Sequence, residues 1–290
     1  MKYEIDNQYN QVRLDRWIRT HFPGVPQSLI EKSLRKKDIL VNDKKANSSD
    51  RLLLGDKITV KKHIQTFDKP SLMPAQFSKA DYEILMQSIL YESENYLILN
   101  KPRGFAVQGG SLVKKSVIDI LNSQGLGQQY KIVHRIDKET TGILLLAKTM
   151  IGARYFAQLF KENNIKKTYL ALTEGLIEKS QGVLRNKLLK TSDRVIEDKD
   201  GKDSITEFEV IEKSINNTLV KVRPITGRMH QIRVQLSLIG HPIVGDNKYN
   251  SGENNKKQQL RLHAHEIEFV DFNGKIAKFT APLPEGFEIL

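Results

Sequence analysis

The sequence predicts an α+β protein, built as a small basic module followed by a larger strand-rich domain. Three observations carry this. The 290 residues are 39% hydrophobic and 28% charged, enough material for one large core and one small one. Strand-like and helix-like segments follow each other without a regular βαβ alternation. The charge is uneven, because residues 1–65 hold fourteen Lys/Arg against eight Asp/Glu, half of the chain's net +12. No apolar run approaches the roughly 18 residues of a membrane span, and residues 1–6 show no h-region of a secretory or transit peptide. Cysteine is absent, which removes disulfides, thiolate chemistry and Cys-held zinc and fits a reducing compartment. A cytoplasmic protein with no membrane partner is expected. It is expected to be a monomer, since no coiled-coil seam or long apolar edge is legible.

In the basic module, residues 12–20 place Leu14, Trp17 and Ile18 at helical spacing among Arg13, Arg16 and Arg19. Pro26 can open a second helix, with Leu29, Ile30 and Leu34 on one face and Lys32, Arg35, Lys36 and Lys37 around them. A short strand at 39–41, a turn at Asn42-Asp43 and a second turn at Gly55-Asp56 lead into an alternating strand. A concentrated basic module is the electrostatic footprint of a polyanion, most often nucleic acid; the plainer reading is solubility charge. The run "RLDRWIRTHFP…SLIEKSLRKKDILVNDKKA…LLLGDKITV" resembles the S-four-type RNA-binding domain. The resemblance implies a basic face offered to structured RNA by the second helix and the hairpin after it. Arg13, Arg16, Arg35, Lys36, Lys37 and Lys44 are its candidate contacts. Residues 1–62 form this domain and 63–88, with Pro70 and Pro74, form a linker. The tail of the linker, "ADYEILMQSIL", suits one short helix. A larger domain follows from 89 to 290.

In that domain "YLILN" reads as a strand ending in a turn at Lys101-Pro102-Arg103-Gly104. Residues 116–122 suit a short helix and "GILLLAK" a buried strand. Residues 150–162 suit an amphipathic helix with Ala153, Phe156, Ala157 and Phe160 on its stripe. "KTYLALTEG" and "TLVKVRP" are strands, 228–239 a helix, and "RLHAHEIEF" and "KIAKFTAP" late strands. There is no internal repeat and no low-complexity tract.

The chemistry begins in "GRMHQIRVQLSLIG". Met229, Ile232 and Leu236 define an apolar stripe, and Arg233 falls on it. A core-facing arginine needs a partner, because an uncompensated buried charge costs about 3–5 kcal/mol, unless the side chain snorkels to the surface. Asp137, at the mouth of the "GILLLAK" strand, is the best-placed carboxylate. Such pairing would hold Asp137 ionised at neutral pH, which suits a nucleophile rather than a general acid. A glycosidase needs a second carboxylate kept protonated, and Glu139, the nearest, sits in a turn open to solvation. Four histidines, His134, His230, His263 and His265, could also be read as a metal site, but no HExxH or cysteine framework accompanies them. The expectation is no metal.

"HRIDKETTG" resembles the H-R-L-D-x-x-T-S-G signature of the RluA-type pseudouridine synthases, with Ile136 and Thr141 as its two departures. "NKPRG", "KKTYLAL", "TGRMHQIRVQL…GHPIVGDNKY", "RLHAHEIEF" and "APLP" follow in the family's order, so the resemblance covers essentially the whole chain after residue 90. It is strongest to the RluC branch, which modifies large-subunit ribosomal RNA. The resemblance implies a mixed, mainly antiparallel sheet flanked by helices. It also implies isomerisation of uridine to pseudouridine in large-subunit ribosomal RNA or a pre-ribosomal particle, without a cofactor. Asp137 would be the nucleophile and Arg233 its ion-pair partner. Tyr169 would lie against the flipped base, where stacking contributes about 1–3 kcal/mol. Arg135 would probe the space that base vacates; extrusion is cheapest from unpaired or loop positions. Lys101, Pro102, Gly104 and Ile267 would line the pocket, and His134, Thr141, Gly142, Arg228, His230 and Gln231 complete the substrate-binding set. Gln108 stands where such proteins often carry histidine. The competing expectation is a non-catalytic RNA-binding or ribosome-assembly factor on the same fold.

Overall fold

Leu14, Trp17 and Ile18 give the first helix a fully buried face, and the first unit of the chain is built around it. The structure is a computed structural model. It describes residues 1–22, 25, 27–61, 78–109, 115–123, 130–250, 258–285 and 287. Pro23, Gly24 and Pro26 and linker residues 63–77 therefore lie outside the described residues. The chain divides into two units, Met1–Gln76 and Phe77–Leu290.

In the first unit α1 (Leu14–His21) and α2 (Gln27–Arg35) accompany a three-stranded antiparallel sheet. The sheet is β1 (Lys2–Glu4), β2 (Ile39–Val41) and β3 (Lys57–Val60) in the order β1-β3-β2. Trp17 centres the core with Ile5, Ile30, Leu34, Ile39 and Ile58. Arg16, Arg35, Lys36, Lys37 and Lys44 are exposed. Arg13 is also exposed, but its guanidinium is bound through Nε and Nη2 to the Asp15 carboxylate at 3.1 and 2.7 Å.

The second unit opens with α3 (Lys79–Gln87), the helix in the tail of the linker, capped by the Ser78 hydroxyl on Asp81 N–H. Then come β4 (Ile89–Glu92), β5 (Tyr96–Lys101), α4 (Val117–Asn122), β6 (Lys131–Ile132), β7 (Thr141–Ala147) and α5 (Met150–Lys161). The remainder is β8 (Lys166–Glu174), β9 (Gln181–Lys190), β10 (Val195–Glu197), β11 (Lys202–Lys213), β12 (Asn217–Pro224), α6 (Gln231–Leu238), β13 (Leu262–Val270) and β14 (Ile276–Thr280). Eleven strands form one sheet, ordered β10-β9-β11-β12-β8-β13-β7-β5-β4, with β14 on β13 and β6 on β7. It is the mixed, mainly antiparallel sheet that was expected. The parallel pairing among the described strands joins β13 to β7 at His263↔Thr141 and Ala264↔Gly142.

That junction explains Gly142. Its φ is +101°, and a Cβ there would stand 2.2 Å from the Ala264 carbonyl oxygen. Beyond it all seven residues of β7 are buried, the continuous apolar run of a strand covered on both faces. One core gathers on β5 and β7 with α4 and α5. The other gathers on β8 and β12 with α6. Tyr169 packs against both.

Two helices depart from the sequence expectation. On α5, Phe156 is buried but Ala157 is exposed. The helix instead turns Gly152 inward, where a Cβ would meet the Asn95 carbonyl at 2.4 Å, and that close approach sets its rotation. α6 begins at Gln231 rather than 228, because His230 takes a left-handed φ of 53° at its N-cap. Met229 therefore precedes the helix and is 38% exposed, so the buried stripe is Ile232, Arg233 and Leu236.

Candidate active site

Asp137 is held by a loop, 133–140, pinned at several points. Ile136 is buried in the core beside β7. His134 Nε2 accepts the Leu145 backbone N–H at 2.9 Å, and its ring stacks on Phe160. Thr140 N–H donates to the Asp137 carbonyl at 3.2 Å, closing a turn. The Lys138 carbonyl receives both Gly104 N–H and Lys101 Nζ at 3.1 Å. An imidazole that accepts at Nε2 carries its proton on Nδ1. Burial, and then the nearby Lys167, push the His134 pKa down to about 3, so the ring stays neutral.

Arg233 reaches the same point from α6. Its Nη1 donates to Asp137 Oδ2 at 2.9 Å, while Nε and Nη2 donate to the two oxygens of Asp246 at 2.8 Å each. Desolvation opposes the guanidinium charge. The hydrogen bonds and charge of Asp246, and then of Asp137, override it and raise the arginine's pKa. Burial likewise works against the Asp246 carboxylate. The Arg233 bonds, with the backbone N–H groups of Lys248 and Tyr249 on Oδ1, hold it below the usual carboxylate range. The Tyr249 ring lies 5.2 Å from the guanidinium carbon, a cation–π geometry. Asp246 thus orients Arg233 bidentately and leaves Nη1 for Asp137.

His230 closes the cluster. Its Nε2 is 3.6 Å from Asp137 Oδ2, and its Nδ1 is 2.7 Å from the Tyr249 hydroxyl. Burial, outweighing the attraction of Asp137, lowers its pKa and keeps the ring neutral near pH 7. Tyr169 projects from β8. Burial, with the Asp137 charge as a second cause, raises its phenol pKa, so it presents a neutral aromatic face. Asp137, Tyr169 and Arg233 together line a cavity of about 570 Å³, within the range of small-molecule sites. Asp137 is the one carboxylate among its described lining residues, against Arg135, Lys161, Lys167, Arg228 and Arg233. Neither nearby acid suits the protonated role that a glycosidase needs: Glu139 is exposed, and Asp246 is ion-paired.

The other candidates divide. His134, Arg135, Arg228, His230 and Gln231 line the cavity. Arg135 and Arg228 are exposed, and Arg228 Nε donates to the Asp203 carbonyl at 3.1 Å. Gln231 is buried with its amide in use: Oε1 accepts from Thr226 Oγ1 and Arg228 N–H, and Nε2 donates to the Ile205 carbonyl and Thr206 Oγ1.

Lys101, Pro102, Gly104 and Ile267, expected to line the pocket, are not among the cavity's described lining residues, and neither are Thr141 and Gly142. Lys101 is fully buried, with Nζ donating to the carbonyls of Pro102 and Phe105 at 2.9 Å and of Lys138 at 3.1 Å. Pro102 and Gly104 belong to that turn. The Thr141 hydroxyl meets His263 Nδ1 at 2.8 Å, and Ile267 is a core residue of β13. These residues frame the site from behind. The four histidines are engaged by protein groups: Leu145 for His134, Tyr249 for His230, Thr141 for His263, and the Ala281 carbonyl shared by His263 and His265.

Sequence reasoning missed Asp246, Tyr249 and Lys167. A usable signal existed for Asp246: a guanidinium with five donors is not satisfied by one carboxylate, and "GHPIVGDNKY" offers an acid just after the Arg233 helix.

Comparisons with known proteins point to one family. The family of RNA pseudouridylate synthases matches residues 95–238, the span from β5 to α6. The chain is 39% identical to ribosomal large subunit pseudouridine synthase C of Rickettsia bellii, over 95% of each chain. It is 33% identical to the protein of that name from Escherichia coli, over 95% of this chain and 91% of that one. Among solved structures, human RNA pseudouridylate synthase domain containing 1 superposes with a TM-score of 0.60 at 27% identity, over 68% of this chain and 83% of that one.

Proposed function

The chain belongs to the RNA pseudouridylate synthase family, and from that premise we propose that it modifies uridines of large-subunit ribosomal RNA with Asp137 as its nucleophile. The observation that carries this reading is the carboxylate of Asp137, held by Arg233 Nη1 at 2.9 Å at the wall of a cavity that Tyr169 also lines. Uridine and pseudouridine are isomers, so the overall reaction consumes nothing. The bond from ribose to ring nitrogen opens, the freed uracil turns, and a bond from ribose to ring carbon closes. The ring carbon gives up one proton and the ring nitrogen gains one. Asp137 opens the sequence by attacking either the sugar, displacing the base, or the base ring. Its bond to the nucleotide breaks again before the product leaves, returning the free carboxylate.

The remaining residues suit this chemistry. Tyr169 offers an uncharged aromatic face for the extruded base. Arg135, exposed at the rim, is placed to enter the space that base leaves in the RNA. The exposed cations of the first unit, Arg16, Arg35, Lys36, Lys37 and Lys44, suit it to an S-four-like role, adding affinity for structured RNA. Names of the relatives support the large subunit as the substrate, and with that substrate goes a cytoplasmic address.

Asp137→Asn keeps the size of the side chain and leaves Arg233 paired with Asp246. We expect it to abolish pseudouridine formation on a large-subunit ribosomal RNA transcript while RNA binding stays near wild type. Reverse-transcription stops at carbodiimide adducts report the product, and full activity in the variant would refute the assignment.

A further inference from the structure

Lys167 precedes Tyr169 by two residues on β8 and lines the same cavity. Alternate residues of a strand share a face about 7 Å apart, and the buried Thr168 between them points the other way. The spacing is comparable with the reach from a nucleotide's base to its phosphate. Lys167 is only half-exposed, and its ammonium makes no hydrogen bond or ion pair among the described residues. The one carboxylate among the cavity's described lining residues is held by Arg233, and the neighbouring His134 is neutral. Burial pushes the pKa of Lys167 down, as expected for a cation withdrawn from water without a counter-ion.

We propose that Lys167 seats an RNA backbone phosphate, the one adjoining the uridine whose base lies on Tyr169. The inference rests on the function proposed above and adds a contact for the strand beside the base. An ammonium is suited to this task because a phosphodiester carries one negative charge and the four-carbon stem reaches it as a point donor. The contact persists from bound substrate to transition state, so it contributes to binding more than to the chemical step.

The test uses the full chain and a bacterial large-subunit ribosomal RNA transcript, with KM and kcat measured across a salt series. Lys167→Met should raise KM about ten-fold, the loss of one charge-assisted hydrogen bond, with kcat nearly unchanged. Its dependence of log KM on log salt should be shallower by about 0.7, the share of one phosphate contact on single-stranded RNA. Lys167→Arg should restore most of the affinity and the slope, and the thermal midpoint of Lys167→Met should match wild type. Lys275→Met, which removes a charge from the turn between β13 and β14, should change neither KM nor slope. An unchanged KM and slope in Lys167→Met would overturn the proposal. So would an arginine variant no better than methionine, or a loss of activity that follows a fall in thermal midpoint. A wild-type protein inactive on the transcript would sink the functional reading itself, and this inference with it.

Discussion

Behind the site, Lys101 is fully enclosed and its ammonium meets three carbonyls, those of Pro102, Phe105 and Lys138. Inside the cavity, Lys167 is half-enclosed and its ammonium meets none among the described residues. Burial pushes the pKa of Lys101 down to about 7, yet three acceptors match the three N–H donors of the charged form and only that form. Lys101 is therefore complete within the protein and ties the 101–105 turn to the Asp137 loop. Lys167 lines the cavity without such acceptors among the described residues. The arginines divide in the same way. Arg233 has Nε, Nη1 and Nη2 all donating to carboxylates, while Arg135 is exposed at the rim. Counting satisfied donors separates the groups that hold the site in shape from those left open toward the cavity, and proximity to Asp137 does not.

The division is broken most directly at its most complete member. Asp246→Asn removes the charge that orients Arg233 and should destabilise the fold by about 3–5 kcal/mol, read by urea unfolding, with activity collapsing as well. A variant as stable as wild type would show that Arg233 does not depend on its buried partner.

A smaller loss is expected at Lys101. Lys101→Met leaves three enclosed carbonyls without their donor, and about 2–3 kcal/mol of stability should go, allowing for relaxation around the site. The kcat of the folded protein should stay within a few-fold of wild type. Loss of kcat at full stability would move Lys101 from the frame into the chemistry.

The smallest effect near neutrality concerns two enclosed rings. Burial depresses His134 to about 3 and, as its largest cause, His263 to about 4, both from an ordinary 6.5. The unfolded chain therefore takes up these protons first as pH falls. Stability should be full above pH 6.5 and decline toward pH 4, by up to about 1.4 kcal/mol per pH unit for each ring. Thermal melts between pH 7.5 and 4.5 measure the slope. His263→Asn should make it shallower, and stability that rises on acidification would contradict the assignment.

The centre of the site was legible because its physics is local. A charge on a helix stripe demands a partner, and a polar cluster at the mouth of a seven-residue buried strand supplies one. Arg233 does meet Asp137, even though Met229 lies outside the helix that suggested the pairing. Asp246 was harder to find, since nothing in an isolated turn says which arginine it faces. Strands β9 and β11 escaped the sequence reading because charged and polar residues run through them, as in "KDSITEFEVIEK". Much of their length is open to water, so apolar periodicity is faint. Lys101 and Ile267 were drawn to the pocket by membership in motifs, and only burial shows that they stand behind it.

The parallel contact at Gly142 has a consequence for synthesis. β5 and β7 on one side, and β8 and β12 on the other, pair with partners close in sequence. β13, which lies between β7 and β8 in the sheet, is made some ninety residues after β8, at 262–270. β13 therefore ties together two parts of the sheet, the β5–β7 part that adjoins the Asp137 loop and the β8–β12 part that carries Tyr169. Among the described strands β13 bridges the two parts, so the Asp137 loop and Tyr169 are expected to come together only once residues 262–270 have left the ribosome.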